Sequence, residues 1–177
     1  MRFVLRQYQI DAVQRVRERL EGGSRSCLSG APTGAGKTVL ACHIIEAAQA
    51  RGSRTLFLAH RKELIEQCSS KLDEIGLWHG IIKAGNPRVQ PHALVQVASV
   101  QTLGRRMERH GSGYKLIICD EAHHGTADSY ALIFKANQSA IVLGLTATPY
   151  RADGVGLGNL FSSYVEVSSI AELVRQG

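Results

Sequence analysis

The stretch that decides the fold reads Ser26-Cys-Leu-Ser-Gly-Ala-Pro-Thr-Gly-Ala-Gly-Lys-Thr38. Its first four residues are a short strand candidate, and a helix rich in Ala, Ile and Leu is predicted from Lys37 to Ala50. A glycine-rich turn between a strand and a helix directs successive backbone N–H groups and the helix dipole at one anion. The sequence therefore predicts a phosphate-binding loop within an α/β domain.

Individual positions of this loop are expected to have separate roles. Gly34 and Gly36 permit backbone conformations, and a close approach of phosphates, that a Cβ would prevent. Lys37 supplies a positive charge for the β- and γ-phosphates, and Thr38 supplies a hydroxyl ligand for Mg²⁺. The pattern GxxxxGK[ST] has glycine where Ala31 stands, and this departure fits one subset of phosphate-binding loops. The strand and helix on either side argue against a chance occurrence of Gly-Lys-Thr. The other predicted binding positions are Pro32, Thr33 and Ala35.

Apolar runs of strand length alternate with helical periodicity along most of the chain. Thr55–Ala59 (TLFLA) and Lys115–Cys119 (KLIIC) are typical of buried parallel strands, and residues 7–21 have an amphipathic helical pattern. This alternation predicts an α/β fold, with a mainly parallel sheet flanked by helices on both faces. Further strands are predicted at 26–29, 80–83, 94–98, 140–145 and 164–167, helices at 64–72, 100–109, 128–136 and 169–176, and an exposed loop at 84–92.

Two carboxylates, Asp120 and Glu121, follow the predicted strand 115–119. They emerge at the carboxyl edge of the sheet, where parallel sheets bind ligands. Asp120 is expected to hold Mg²⁺ through its water shell, and Glu121 to orient or deprotonate an attacking water. Acidic residues are common in solvated loops, so this pair gains its meaning from the phosphate loop about 80 residues upstream.

Composition limits the possible classes of protein. The 177 residues, 44% hydrophobic and 20% charged, suit one well-buried domain. Lys and Arg number 21 against 15 Asp and Glu; the net charge of +6 mildly favours polyanionic partners, although many basic proteins bind no nucleic acid. Because no apolar run reaches roughly 18 residues and charges interrupt the N-terminus, a cytoplasmic protein without a membrane partner is expected.

The cysteines and histidines give no sign of a transition-metal site. Cys27, Cys42, Cys68 and Cys119 lie far apart without a CxxC pair, so they are expected to be small core residues and no structural zinc is expected. The adjacent histidines at 123 and 124 have no Cys or carboxylate at a helical ligand spacing.

Three motifs occur in an order and spacing that resemble superfamily 2 helicases and translocases: APTGAGKT (31–38), DEAH (120–123) and TATP (146–149). Within that superfamily, segments 5–9, 59–64 and 98–103 resemble the adenine-reading element, motif Ia and motif Ib. Segment 144–154 resembles the branch containing the motor subunits of type III and type I restriction enzymes and related DEAD/DEAH-box repair helicases. The resemblance implies a RecA-like P-loop NTPase domain over residues 1–177, the N-terminal helicase ATP-binding lobe, which uses ATP and Mg²⁺.

The resemblance also implies roles outside the phosphate loop. Gln9 would pair with adenine through its side-chain amide, Arg6 would approach the nucleotide or remain a solvent-exposed charge, and Tyr8 would only pack. Nucleic acid, with DNA favoured over RNA, would be bound through its phosphates, without reading of base identity. The implied nucleic-acid contacts are His60, Arg61, Ser99, Gln101 and Thr102, and the implied coupling residues are His123, Thr146 and Thr148.

Motors of this superfamily bind ATP between two RecA-like lobes, and the second lobe supplies an arginine finger through a motif resembling QxxGRxxR. That motif is missing from this sequence, and the final segment is still periodic where the sequence ends, so a second lobe is expected in cis in a longer chain. Two alternatives remain. An unrelated P-loop enzyme, such as a small-molecule kinase, would leave the TATP match unexplained. A non-catalytic nucleotide-binding adaptor module is disfavoured because Lys37, Thr38, Asp120 and Glu121 are all intact.

Overall fold

The computed structural model describes residues 4–122, 127–147 and 161–167. Its strands are β1 (Ser26–Gly30), β2 (Thr55–Ala59), β3 (His79–Ile82), β4 (Val95–Ser99), β5 (Leu116–Cys119), β6 (Ile141–Thr146) and β7 (Ser163–Glu166). Its helices are α1 (Gln7–Glu21), α2 (Lys37–Gln49), α3 (Lys62–Glu74), α4 (Val100–Gly104), α5 (Met107–His110) and α6 (Ala127–Ala136). Within these ranges the strands form one sheet in the order β3-β4-β2-β5-β6-β1-β7, and every strand pairing is parallel.

Both faces of the sheet are buried beneath helices. Along β2, Phe57 and Ala59 join the core formed with α1, α2 and α3, whereas Leu56 and Leu58 join the core formed with α4, α5 and α6. All five residues of β2 are buried, because successive side chains enter opposite cores. This arrangement explains why the strand is apolar without alternation, and it confirms the predicted α/β fold.

One predicted element differs from the structure. The helix predicted over 100–109 is interrupted and forms the two short helices α4 and α5. The break falls at Arg106, whose φ of −124° and ψ of 25° leave the helical region, and whose N–H donates to the carbonyl of Leu103 at 2.8 Å. Gly104, a weak helix former, lies just before the break. The helix predicted over 169–176 lies outside the described residues.

The cysteines and the loop before β4 match their predictions. All four cysteines are free and buried, as expected for small core residues. Between β3 and β4, residues 84–92 form an irregular segment in which most residues are exposed. Of the helices that the structure describes, none has both the length and the apolar character needed to cross a membrane. In that same part of the chain, no group of three or more His, Cys, Asp or Glu residues is placed to hold a metal ion.

Asn137 ties the end of α6 to the segment that leads into β5. Its side chain is 6% exposed, and its Oδ1 accepts a hydrogen bond from the Tyr114 N–H at 3.0 Å. Its Nδ2 donates to the carbonyls of Gly111 at 2.6 Å and Ile133 at 2.9 Å. One buried amide therefore satisfies three backbone groups that no strand or helix ladder serves.

We expect Asn137→Ala to lower the free energy of unfolding by about 2–3 kcal/mol, because it leaves the Tyr114 N–H and two carbonyls without these partners. Urea denaturation would measure the change. Gln138→Ala, at the exposed neighbouring position, is the control and should change stability by less than about 0.5 kcal/mol. Equal unfolding midpoints for the two variants would show that the Asn137 amide is not a structural anchor.

Candidate nucleotide-binding and nucleic-acid-facing site

Backbone hydrogen bonds at the carboxyl edge of the sheet hold the predicted motifs together. The phosphate loop follows β1, the acidic pair follows β5, and Thr146 ends β6. The Ala31 N–H donates to the carbonyl of Thr146 at 2.8 Å, and the Asp120 N–H donates to the carbonyl of Leu58 at 2.8 Å. Each bond fixes a site residue to a neighbouring strand, so motifs distant in sequence have defined positions relative to one another.

The backbone of the phosphate loop requires glycine at two positions. Gly34 has a φ of +87° and Gly36 a φ of +74°, both in the left-handed region that residues with a Cβ rarely adopt. Gly36 is the N-cap of α2, so the loop closes directly onto the N-terminus of that helix. The Ala35 N–H donates to the carbonyl of Pro32 at 3.1 Å and completes the turn. The exposed Thr33 and Gly34 lie between these two residues.

The first turn of α1 holds the phosphate loop through one carbonyl. Tyr8 Oη and Gln9 Nε2 both donate to the Ala35 carbonyl, at 3.1 and 3.0 Å. Gln9 Oε1 accepts from the backbone N–H of Arg6 at 2.9 Å, so both polar atoms of this buried amide have protein partners. The interpretation of Tyr8 as only a packing residue was therefore wrong, because its hydroxyl binds the loop. Adenine reading by Gln9 stays a prediction, and the Arg6 side chain is exposed.

Lys37 and Glu121 face each other across the loop. Lys37 Nζ lies 3.6 Å from Glu121 Oε1, and the two side chains are only 11% and 21% exposed. The same amine donates to the carbonyl of Ala31 at 3.3 Å, which directs it over the phosphate loop. Glu121 has a φ of +49°, uncommon for a residue with a side chain, and such strain is frequent at functional sites.

Asp120 is a buried carboxyl group beside a second carboxyl group. It is 2% exposed, and its Oδ1 accepts the Glu121 N–H at 3.0 Å. Burial, and then the charge of Glu121, raise the pKa of Asp120 to about 6, although Lys37 and the Glu121 N–H oppose the rise. The surrounding protein groups therefore do not fully stabilise the ionised form of Asp120. The buried carboxylate of Asp120 and the hydroxyl of the half-buried Thr38, in the first turn of α2, are hard oxygen donors of the kind that Mg²⁺ prefers.

Four of the five predicted nucleic-acid residues lie in one hydrogen-bonded cluster at the ends of β2 and β4. The Thr102 N–H donates to Ser99 Oγ at 3.4 Å, and Ser99 Oγ donates to Gln101 Oε1 at 2.8 Å. Gln101 Nε2 lies 3.3 Å from His60 Nδ1. The fifth residue, Arg61, is the exposed N-cap of α3. Strands β2 and β4 are neighbours in the sheet, with Ala59 paired to Ser99, and this pairing brings the two motifs together.

The predicted coupling residues are described only in part. Thr146 is 1% exposed, and its backbone carbonyl accepts the hydrogen bond from Ala31, the first residue of the phosphate loop. His123 and Thr148 lie outside the described residues, as does the rest of the segment from 148 to 154.

The parallel sheet, with a glycine-rich loop that leads into the N-terminus of α2 at its edge, defines a RecA-like P-loop domain. The chain belongs to the family described as "Type III restriction enzyme, res subunit", whose model matches residues 2–151. The predicted membership of superfamily 2 is therefore confirmed, and with it the predicted use of ATP.

Relatives and solved structures agree with this assignment. The chain is 34% identical to the putative mitochondrial ATP-dependent helicase irc3 of Schizosaccharomyces pombe, over 86% of this chain and 27% of that protein. It is 32% identical to the DNA 3'-5' translocase XPB2 of Sulfurisphaera tokodaii, over 85% of this chain and 32% of that protein. The crystal structure of the UvsW helicase from bacteriophage T4 superposes with a TM-score of 0.76 at 19% identity, covering 93% of this chain and 60% of that one, which shows a shared fold. The chain thus spans about a third or less of the two sequence relatives.

Gly36→Ala in the full-length protein should weaken binding of a fluorescent ATP analogue by at least about tenfold, which corresponds to about 1.4 kcal/mol. An added Cβ would lie 2.5 Å from Gln9 Nε2 and would displace the amide that holds the Ala35 carbonyl. Gly52→Ala is the matched control, because Gly52 also has a left-handed φ, of +69°, but has nothing within 4 Å of the added Cβ. The control should bind the analogue within about twofold of wild type. Similar losses in both variants would attribute the effect to backbone strain and not to the Gln9 contact.

Proposed function

We propose that the full-length protein is an ATP-dependent DNA helicase or translocase, and that this chain is its N-terminal motor lobe. One observation carries the proposal: Lys37, Asp120 and Glu121 meet on the phosphate loop at the same sheet edge as the Ser99–Gln101–His60 cluster. A nucleotide site and a phosphate-facing polar surface on one edge are what a motor needs to connect hydrolysis with movement. The names of the relatives, a helicase and a DNA translocase, support DNA as the partner.

In this proposal the residues of the lobe divide the chemistry between them. Lys37 binds the β- and γ-phosphates, together with the N–H groups of the loop and the N-terminus of α2. Thr38 and Asp120 would hold Mg²⁺, which when bound would neutralise charge on those phosphates. Glu121 takes a proton from the attacking water, and its contact with Lys37 keeps the carboxylate beside the phosphate loop.

The remaining parts of the motor are also proposals. Ser99, Gln101 and Thr102 bind phosphates of the nucleic acid, which makes binding independent of base sequence. Thr146 links that face to the γ-phosphate site, and His123 and Thr148 share this role. A second RecA-like lobe in cis supplies the arginine finger that speeds phosphoryl transfer. We place the protein in the cytoplasm, where free buried cysteines such as the four in this chain are usual.

Glu121→Gln in the full-length protein should retain ATP binding within about threefold and lose at least about 100-fold in DNA-stimulated hydrolysis, because an amide occupies the same space but cannot accept the proton. Lys37→Ala is the companion variant and should lose ATP binding itself, because no cation then faces the phosphates. A fluorescent ATP analogue measures binding, and phosphate release measures turnover.

Each hydrolysis assay should be run with single-stranded DNA, duplex DNA and RNA of equal length, and without nucleic acid. The proposal expects DNA to stimulate the wild type more than RNA does. Wild-type turnover in Glu121→Gln would remove that residue from catalysis. Hydrolysis that no nucleic acid stimulates would refute the motor function and leave a nucleotide-binding module.

A further inference from the structure

The polar cluster at the nucleic-acid face continues inward to a buried tyrosine that the sequence motifs do not include. Tyr130 lies on α6, the helix that follows the acidic motif, and its side chain is 1% exposed. Its hydroxyl lies 3.0 Å from His60 Nε2, and its ring meets the imidazole edge-on, with centroids 5.5 Å apart at 81°. A hydrogen-bonded path therefore runs from the exposed Gln101 through His60 to the interior beside α6.

The donors and acceptors along this path run in one direction. A backbone N–H can only donate, so Ser99 Oγ accepts from Thr102 and directs its own proton to Gln101 Oε1. The amide nitrogen of Gln101 then donates to His60 Nδ1, which places the imidazole proton on Nε2. His60 Nε2–H in turn donates to the oxygen of Tyr130. Because each side chain both accepts and donates, a change at one end alters the bonding of the next group.

Tyr130 is placed to pass such a change to the acidic motif. Its ring stacks on Phe134 one turn along α6, with centroids 5.8 Å apart at 22°. Burial, and then the proximity of Cys119 and Asp120, raise the pKa of Tyr130, so its hydroxyl stays neutral. Tyr130 also belongs to the buried cluster that contains Cys119 and Ala122, the residues that flank Asp120 and Glu121, so the phenol packs in the same core as the acidic motif.

We propose that Tyr130 is a positioning residue that transmits occupancy of the nucleic-acid face, through His60, to the acidic motif. A phosphate bound at Ser99 and Gln101 would take the hydrogen-bond donors that these side chains now give to each other and to His60. The imidazole of His60 would then lose Gln101 as its partner at Nδ1. Its hydrogen bond to Tyr130, on α6, would change as a result. This proposal rests on the motor function proposed above, because it assigns the path by which nucleic acid stimulates hydrolysis.

His60 has a different role here from the direct nucleic-acid contact that the motif resemblance implies. Both of its ring nitrogens have protein partners, and the side chain is only half exposed. Gln101, by contrast, is exposed and lies at the outer end of the path. Gln101 therefore meets the phosphate, and His60 responds to it.

Tyr130→Phe in the full-length protein removes only the hydroxyl that His60 contacts. We expect hydrolysis without DNA, and the Michaelis constant for ATP, to stay within about twofold of wild type. Maximal hydrolysis with saturating single-stranded DNA should fall about fivefold, while the DNA concentration giving half-maximal stimulation stays within about twofold, because Tyr130 does not touch DNA. Gln101→Ala should raise that half-maximal concentration, since it removes a phosphate contact, and should also lower maximal stimulation, since it removes the partner of His60 Nδ1.

Phe134→Leu is the packing control, because it disturbs the same part of α6 without touching the hydrogen-bonded path. It should alter basal and stimulated rates by the same factor. The proposal is refuted if Phe134→Leu reproduces the selective loss of DNA-stimulated hydrolysis. It is also refuted if Tyr130→Phe lowers the basal and the stimulated rate equally, or lowers neither. In each case Tyr130 is a packing residue. A wild type that DNA stimulates separates that result from failure of the motor function. Absence of stimulation in the wild type refutes both proposals.

Discussion

The parallel pairing of β1 with β6 is the constraint on which the rest of the site depends. Its register sets Gly30 opposite Thr146, and the Ala31 N–H extends the pairing by one bond to the Thr146 carbonyl. The first residue of the phosphate loop therefore has a fixed position relative to the end of β6. On the other side of β6, β5 ends at the same edge and delivers Asp120. A shift in register would separate Lys37 from Glu121 and would also turn buried side chains toward the wrong core.

The sequence predicted most of this framework, because the responsible signals are local. Buried parallel strands are apolar throughout, and the strand–glycine loop–helix order of residues 26–50 depends on backbone geometry that only certain residues permit. The strand predicted at Thr55–Ala59 matches β2 residue for residue. The prediction of one helix over 100–109 was wrong at Arg106. There the backbone leaves the helical conformation, although the sequence on both sides keeps a helical pattern.

Contacts across long sequence separations explain what the sequence could not predict. Tyr8 looks like a core residue of an amphipathic helix, and its hydroxyl reaches a carbonyl 27 residues away. Tyr130 likewise looks like a buried helix residue, and its partner His60 lies 70 residues away. Side-chain periodicity reports that a tyrosine ring is buried, but the partner of its hydroxyl depends on how distant elements pack. Polar tips of otherwise apolar side chains are therefore where the structure adds most to the site.

The two candidate regions of this sheet edge differ in how fully protein groups compensate their charges and hydrogen-bonding atoms. Around the phosphate loop, burial and the neighbouring Glu121 raise the pKa of Asp120, and the nearby Lys37 offsets this rise only in part. A Mg²⁺ ion, which the proposed function places at Asp120, would bring compensating positive charge to this carboxylate. At the outer region, Ser99, Gln101 and His60 already satisfy one another, and a phosphate must compete for their hydrogen bonds. Nucleic acid would therefore bind there at the cost of internal bonds, which favours contacts that form and break readily as a motor moves.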